Sequence, residues 1–270
     1  MGPIWVFDSG FWGLTVLKKV RGRLPQYDYL YLWDNARAPY GSRSFESIYQ
    51  YTWESVQKLF SFGCPLVILA CNTASAKALR KIQQENLPTF APEKKVLGVI
   101  RPTAEIIGTL TTTKHIWILA TEGTVNSHAY DIEIAKFFPE VTITSEFCPM
   151  WVPLIENNQY DTPGARYFIE LNLKNLLAKD PQIDTILLWC THYPLIKQQI
   201  QEIVGDKIQV FTQGRFVAQS LEKYLLHHPE LESQCTKNGT VEYLTTDSAE
   251  KFAKAASVFL KEEIVAKRID

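Results

Sequence analysis

Residues 66–76 read LVILACNTASA. Leu66, Val67, Ile68, Leu69 and Ala70 are apolar without interruption, which describes a strand buried on both faces, as in a parallel sheet. The run stops at Cys71-Asn72-Thr73, and a helical pattern follows with Ala74, Ala76, Ala78 and Leu79, then Arg80 and Lys81. Cys71 therefore sits where a strand hands the chain to a helix N-terminus. In an open α/β sheet that carboxyl edge is where ligands bind, and a helix N-terminus favours a thiolate or a bound carboxylate.

The same pattern recurs at residues 185–195, TILLWCTHYPL. Ile186, Leu187, Leu188 and Trp189 lead into Cys190, Thr191 and His192. Two strand ends, each carrying one cysteine and lying about one small domain apart, predict a facing pair of thiols across a cleft.

Outward from these two stretches, strand and helix signals alternate. Ile4–Phe7 is a short strand running into Asp8-Ser9-Gly10, a third strand end at the same edge. Ser or Asp there also suits an N-cap for a helix over Leu14–Val20. Asp28–Trp33 reads as a strand, followed by Asp34-Asn35-Ala36-Arg37 and the turn Ala38-Pro39-Tyr40-Gly41. Phe45–Phe62 has helical spacing and returns to the Cys71 strand. The sustained alternation predicts an α/β fold with a doubly wound sheet. Pro88–Lys95 reads as a polar break and Val96–Ile100 as a strand stopped by Arg101-Pro102, where a domain boundary is expected.

A helix is expected over Ala104–Thr109, and a strand over His115–Ala120 that ends in Thr121-Glu122-Gly123-Thr124. A helix over Ser127–Phe138 and a strand over Val141–Glu146 come next, then Cys148-Pro149 and Val152–Glu156. The remaining helices are expected at Ala165–Leu177, Pro194–Val204, Arg215–His227 and Ala249–Leu260. The remaining strands are expected at Ile183–Trp189, Ile208–Phe211 and Val241–Leu244.

The totals narrow the function. The chain has 270 residues, a formal net charge of −1 and 46% hydrophobic residues. A substantial core follows, in one large domain or two modest ones. No dense Lys/Arg run points to nucleic acid. No apolar run approaches the ~18–20 residues of a membrane span, and the N-terminus has neither a signal-peptide pattern nor, with Val6, a myristoylation pattern. A soluble, cytoplasmic protein is expected. The five cysteines, Cys64, Cys71, Cys148, Cys190 and Cys235, are odd in number and widely spaced, so no disulfide framework is implied. Cys64, Cys148 and Cys235 read as small buried apolar residues.

Two thiols flanking a bound amino acid perform a specific chemistry. One, as thiolate, removes the α-proton. The other, as thiol, returns a proton to the opposite face, inverting the centre with no cofactor. The thiol is a far stronger acid than the α-carbon, and a gap on the order of ten pKa units corresponds to ~14 kcal/mol. Preorganised donors in a dry cleft have to close that gap. Ser9, Asn72, Thr73, Thr121, Thr124 and Thr191 are donors of the right kind, and Asp8 and His192 are titratable neighbours able to order the thiols. The same residues admit two other readings. Cys71, Cys190 and His192 are zinc-type donors, although Cys-x-His is not a usual zinc spacing and no second cluster completes the set. A dithiol redox pair is the other, without a CxxC.

Taken in order, Phe7-Asp8-Ser9-Gly10 with Gly13-Leu14-Thr15-Val16, Asp34-Asn35-Ala36-Arg37 with Pro39-Tyr40-Gly41, Ala70-Cys71-Asn72-Thr73-Ala74-Ser75, Ala120-Thr121-Glu122-Gly123-Thr124-Val125 and Cys190-Thr191-His192-Tyr193-Pro194 resemble the glutamate racemases, of the cofactor-independent aspartate/glutamate racemase family. The resemblance runs from about residue 4 to the last helix. It implies two similar doubly wound α/β domains with pseudo-twofold symmetry and the active site in the cleft between them. Residues 1–97 with 212–270 would form the first domain and 98–211 the second.

It also implies interconversion of L- and D-glutamate without cofactor or metal, supplying D-glutamate for peptidoglycan. Cys71 would handle the α-proton of D-glutamate and Cys190 that of L-glutamate, with Asp8 and His192 assisting. Ser9, Tyr40, Gly41, Asn72, Thr73, Thr121, Thr124 and Thr191 would hold the substrate, and Glu156 matches a family position near the second cysteine. The partners expected are glutamate and no nucleic acid or membrane; a homodimer is compatible with the sequence.

Three positions depart from the family pattern. Phe11-Trp12 occupy a turn that is usually small and Gly-rich, which puts Trp12 at the expected mouth of the cleft. Trp189 stands where Gly is common before the second cysteine. Thr212-Gln213-Gly214 replaces a turn that usually contains Asp or Ser. A racemase of aspartate, or of both acids, and a divergent binding protein are the alternatives.

Overall fold

The structure is a computed structural model and describes residues 1–269. Its strands, in chain order, are β1 (Ile4–Asp8), β2 (Tyr29–Trp33), β3 (Leu66–Leu69), β4 (Lys95–Gly98), β5 (His115–Ala120), β6 (Thr142–Phe147), β7 (Thr185–Trp189), β8 (Gln209–Thr212), β9 (Val241–Thr245) and β10 (Ala266–Arg268). They form two sheets, a six-stranded one in the order β10-β9-β2-β1-β3-β4 and a four-stranded one in the order β6-β5-β7-β8. Every pairing is parallel.

Four strands of the first sheet run 2-1-3-4, and the second sheet repeats that order as 6-5-7-8. β3 and β7 are therefore equivalent strands, and they carry the two cysteine motifs. In both sheets the order reverses at one strand, β1 or β5, whose neighbours lie on either side of it. That is the topological switch point at which open α/β sheets bind ligands. The registers bring the ends together: Phe7 of β1 is opposite Leu69 of β3, and Ala120 of β5 is opposite Trp189 of β7.

Helices on both faces explain the apolar runs. Every residue of β1, β3 and β7 is buried. On one face of the first sheet, Val16, Leu17 and Val20 of the helix Leu14–Arg23 share a core with Val217, Ala218 and Leu221 of the helix Gly214–His227. The chain thus leaves β8 of the second sheet at Thr212 and returns at once to pack on the first. Ile48, Val56, Leu59 and Phe60 of the helix Phe45–Ser61 cover the other face. Each fully buried aliphatic side chain of this kind contributes about 1.5–3 kcal/mol. Polar caps start the long helices: Ser44, Thr162 and Ser248 accept the N–H of Ser47, Ala165 and Lys251 at 3.2, 3.3 and 3.2 Å.

Several boundaries differ from the sequence reading. Arg101-Pro102 does not stop a strand. β4 already ends at Gly98, and both residues belong to the helix Ile100–Ala104, whose first turn tolerates proline because those N–H groups need no helical partner. The expected break at Pro88–Lys95 begins with a helical turn, Leu87–Phe90, for the same reason. The helix expected over Ser127–Phe138 is confined to Ala129–Ala135, preceded by His128 at φ +52°. Phe11–Gly13, Trp151–Glu156, Pro229–Glu232 and β10 were not expected as elements. Among the described residues no helix is long and apolar enough to cross a membrane.

Gly13 connects this packing to the site. A Cβ built on it would stand 2.5 Å from Asp8 Cβ and 2.6 Å from the Tyr31 hydroxyl, both on buried side chains. Gly13→Ala is expected to lower stability by about 1–3 kcal/mol through overpacking, read as a lower urea midpoint. Gly22→Ala, in open space on the exposed face of the same helix, is expected to leave the midpoint unchanged or raise it. A Gly13→Ala protein with the wild-type midpoint would contradict the packing described here.

Candidate active site

The ends of β1, β3, β5 and β7 surround a cavity of about 260 Å³, closed by the turn after Ala38 and by the segment from Cys148 to Asn157. Strands buried on both faces leave only their ends free to carry polar groups, so the chemistry of the two sheets is gathered in this one space.

Cys71 leaves β3 with extended backbone and caps the helix Asn72–Lys77 with its own side chain, Sγ accepting the Ala74 N–H at 3.4 Å. The Ser9 hydroxyl lies 3.2 Å from the same sulfur. Burial pushes the Cys71 thiol up to about 12, with the charge of Asp8 acting in the same direction and the Ser9 and Ala74 hydrogen bonds opposing it. Cys71 is therefore held protonated.

Cys190 has a different neighbour. Its Sγ lies 3.4 Å from Nδ1 of His192, and Nε2 of His192 lies 3.0 Å from Oε1 of Glu156. Burial by itself would lower the His192 pKa. The negative charge of a Cys190 thiolate and that of Glu156 outweigh it and raise His192 to about 10. At neutral pH both ring nitrogens then carry protons, one directed at the Cys190 sulfur and one at the Glu156 carboxylate.

Asp8 is buried at the end of β1 and accepts the Gly10 N–H at 3.0 Å through Oδ1. Its Oδ2 is buried with no hydrogen-bond partner among the described residues. Burial raises its carboxyl to about 6, against the pull of the Gly10 N–H and of His192. A Cβ on Gly10 would approach His192 to 3.0 Å, so the turn after β1 lies directly against the second cysteine's histidine. The Thr15 hydroxyl, donating to the Thr191 carbonyl at 3.1 Å, adds another tie between the two sheets.

Of the residues singled out in the sequence, Asp8, Ser9, Cys71 and Asn72 line the cavity from the first sheet, with Tyr40, Gly41 and Thr73 beside them. Thr121, Glu156, Cys190, Thr191 and His192 line it from the second. Thr124 does not reach the wall. It is buried behind it, 3.3 and 3.1 Å from the hydroxyls of Thr73 and Thr121, which themselves stand 3.1 Å apart. Two side chains have their polar atoms already engaged. The Tyr40 hydroxyl donates to Asp34, which also accepts from Arg37 at 2.8 Å. The Asn72 amide donates to Gln213 Oε1 at 2.8 Å and accepts from the Tyr130 hydroxyl. Gly41 presents its carbonyl to the Gly123 N–H at 2.9 Å.

Trp12 is a correction. It lies outside the cavity wall, packed edge-on to Phe11 and Phe259 with its ring centroid 6.4 Å from that of His192. Trp189 does line the cavity and is fully buried. Cys148, read as an ordinary buried thiol, is buried but forms part of the wall. Its place just beyond β6 was the available signal. Nothing in the local sequence marks Tyr130, and Gln213 was marked only by its place in the turn Thr212-Gln213-Gly214 that departs from the family pattern. All five cysteines are free, and among the described residues no group of three His, Cys, Asp or Glu side chains is placed to hold a metal ion.

Residues 15–221 match the protein family described as Asp/Glu/Hydantoin racemase. The glutamate racemase of Ruegeria sp. (strain TM1040) is 39% identical over 271 residues, covering 97% of this chain and 97% of its own. The crystal structure of glutamate racemase isoform RacE1 from Bacillus anthracis superposes with a TM-score of 0.89 at 30% identity, over 100% of this chain and 97% of that one. The glutamate racemase of Francisella tularensis subsp. tularensis SCHU S4, in complex with D-glutamate, superposes with a TM-score of 0.87 at 29% identity, over 99% and 97%.

The His192 pKa is raised above its ordinary 6.5, so the stabilisation this group provides is complete below pH 6.5 and is lost as pH rises through about 10. Replacing Glu156 by Gln removes one of the charges that raise it. The His192 ring protons, followed by NMR, are expected to titrate near 10 in the wild type and at lower pH in Glu156→Gln. An unchanged titration would rule out Glu156 as a partner of His192.

Proposed function

Because the chain belongs to the Asp/Glu/Hydantoin racemase family, we propose that it interconverts L- and D-glutamate by transferring protons between the α-carbon and its two cavity cysteines. The observation that carries this reading is the pairing of Cys71 and Cys190, delivered by equivalent strands of two sheets into one buried cavity. Residues 1–97 with 212–270 and residues 98–211 are read as its two domains. Cytoplasmic supply of D-glutamate for peptidoglycan is the corresponding role.

In the direction from L-glutamate, the Cys190 thiolate takes the α-proton and becomes a thiol. The electron pair left on the α-carbon spreads into the substrate carboxylate. The Cys71 thiol then gives its proton to the opposite face, yielding D-glutamate and a Cys71 thiolate. The reverse direction exchanges the roles, and after product leaves the resting state is restored when Cys71 takes a proton from solvent and Cys190 gives one up. The unequal surroundings of the cysteines support this assignment: Cys71 is kept protonated by burial, while Cys190 has the raised imidazole of His192 against its sulfur.

Ser9, Ser42, Thr73, Thr121 and Thr191 are the hydroxyl-bearing serines and threonines that line the cavity. Fixed donors of this kind stabilise developing charge most effectively where water is excluded. The turn that carries Tyr40 and Gly41 lies against Thr121 and completes this wall, and Asp8 supplies a buried carboxyl near Cys71 whose pKa burial raises to about 6.

Cys71→Ser and Cys190→Ser should each lower glutamate inversion by at least about 10²–10⁴-fold, the range for losing a positioned proton-transfer group, with an unchanged fold. Circular dichroism of D- and L-glutamate, with α-deuterium uptake in D₂O and parallel incubations with aspartate, reads the result. Wild-type inversion by either serine variant would exclude the two-cysteine scheme. Faster inversion of aspartate than of glutamate would reassign the substrate.

A further inference from the structure

Two of the three departures from the family pattern meet at one residue, Tyr130. Its ring stacks on that of Trp189 with an interplanar angle of 17°. Its hydroxyl donates to Asn72 Oδ1 and accepts from Gln213 Nε2. Gln213 completes a ring of three by accepting the Asn72 amide at 2.8 Å, and Nε2 also reaches the Val99 carbonyl at 3.5 Å. All four side chains are buried, with exposures of 0, 3, 4 and 4% for Trp189, Tyr130, Asn72 and Gln213.

Asn72 directly follows Cys71, and Trp189 directly precedes Cys190. The contacts therefore run from one cysteine's neighbour, through Tyr130, to the other cysteine's neighbour. They cross from the end of β3 in the first sheet to the end of β7 in the second. Tyr130 and Gln213 themselves do not line the cavity, so they act only through Asn72 and Trp189.

The direction of the hydrogen bonds is set by the amide of Gln213. Because Nε2 donates to the Tyr130 oxygen, the Tyr130 proton is committed to Asn72 Oδ1. A carboxylic side chain in its ionised form would have no donor to offer there. Burial holds the Tyr130 hydroxyl well above its ordinary pKa, which keeps it a donor across the working pH range.

We propose that Tyr130 and Gln213 are positioning residues that set the separation of the two cysteine strand ends, gripping Asn72 on one side and Trp189 on the other. The proposal rests on the racemase reading. A two-sided proton transfer needs both thiols within reach of one α-carbon, and a misplacement of about 1 Å costs on the order of 10²-fold in rate.

Tyr130→Phe keeps the stack and removes only the hydroxyl, while Gln213→Met keeps the volume and removes the amide. Each is expected to lower kcat in both directions by about 10–100-fold with a much smaller change in KM. The second readout is the ratio of α-deuterium exchange to inversion in D₂O. If the thiols are no longer correctly spaced, the carbanion waits longer for the far thiol; the proton held by the thiol that formed it exchanges with D₂O and returns as deuterium to the same face, so exchange per inversion rises above the wild-type ratio. That ratio is a property of active molecules and does not change with the fraction folded.

Wild-type kcat and exchange ratio in both variants, or a loss of activity at an unchanged ratio with a matching loss of folded protein, would overturn the proposal. If one variant does not fold, the ratio measured in the other decides. Wild-type protein that neither exchanges nor inverts glutamate would overturn the racemase reading, and the positioning role with it.

Discussion

Burial of ionisable groups is the constraint on which the site depends. Water has to be excluded if fixed dipoles are to stabilise charge on an α-carbon, and the same exclusion penalises every resting charge around it. The three buried groups answer in three ways. Asp8, where the Gly10 N–H and the charge of His192 only partly offset burial, has its carboxyl raised to about 6. Cys71, with a hydroxyl and an N–H but a like charge nearby, is raised to about 12. His192 goes against the direction of burial, to about 10, because it is held between a sulfur and a carboxylate. One cavity thus contains a kept thiol and a kept cation on opposite sides, an asymmetry built by neighbours rather than by residue type.

The topology explains why such a cavity forms at all. A parallel sheet covered by helices on both faces has no free surface except at its ends. With the order 2-1-3-4 repeated as 6-5-7-8, each sheet opens a crevice at its switch point, beside β1 or β5. β3 and β7 flank those crevices, and each ends in a cysteine. A reaction that must address two faces of one carbon is suited by two copies of the same half-site, and the return of the chain at Thr212–Gly214 to the first sheet ties the copies together.

What was legible in the sequence follows from this arrangement. Residues 66–70 and 186–189 announce themselves because double-sided burial forbids polar interruption, so the first polar residue marks the strand end. Asp8, Cys71, Thr121 and Cys190 were located in that way. Elements that do not bury a continuous apolar run were missed. β10 is a three-residue edge strand that exposes two of its three residues, and the helix Trp151–Glu156 is disguised by Pro153. The Asn72–Tyr130–Gln213 ring was not legible either. Its members are 58 and 141 positions from Asn72, and each looks locally like an ordinary helix or turn residue. A polar side chain whose partners are distant leaves no periodic trace.

The bulky departures gain a common meaning in the fold. Trp12 and Trp189 add aromatic volume at positions where the family pattern is small, yet a cavity of about 260 Å³ remains between the cysteines. Trp12 is turned away into Phe11 and Phe259 and brings its ring near His192 from outside. Trp189 lies under Tyr130, and its indole N–H is one of the buried donors left without a partner among the described residues. Such a donor costs about 1–3 kcal/mol, and an aromatic pair returns about 0.5–1.5 kcal/mol beyond its burial, so stacking alone does not account for a tryptophan there. Its buried apolar area supplies the remainder. Both rings thicken the apolar shell around the second cysteine and its histidine. The drier that shell, the more His192 depends on Glu156 to stay charged, which ties the bulk of these two tryptophans to the carboxylate hydrogen-bonded to the imidazole.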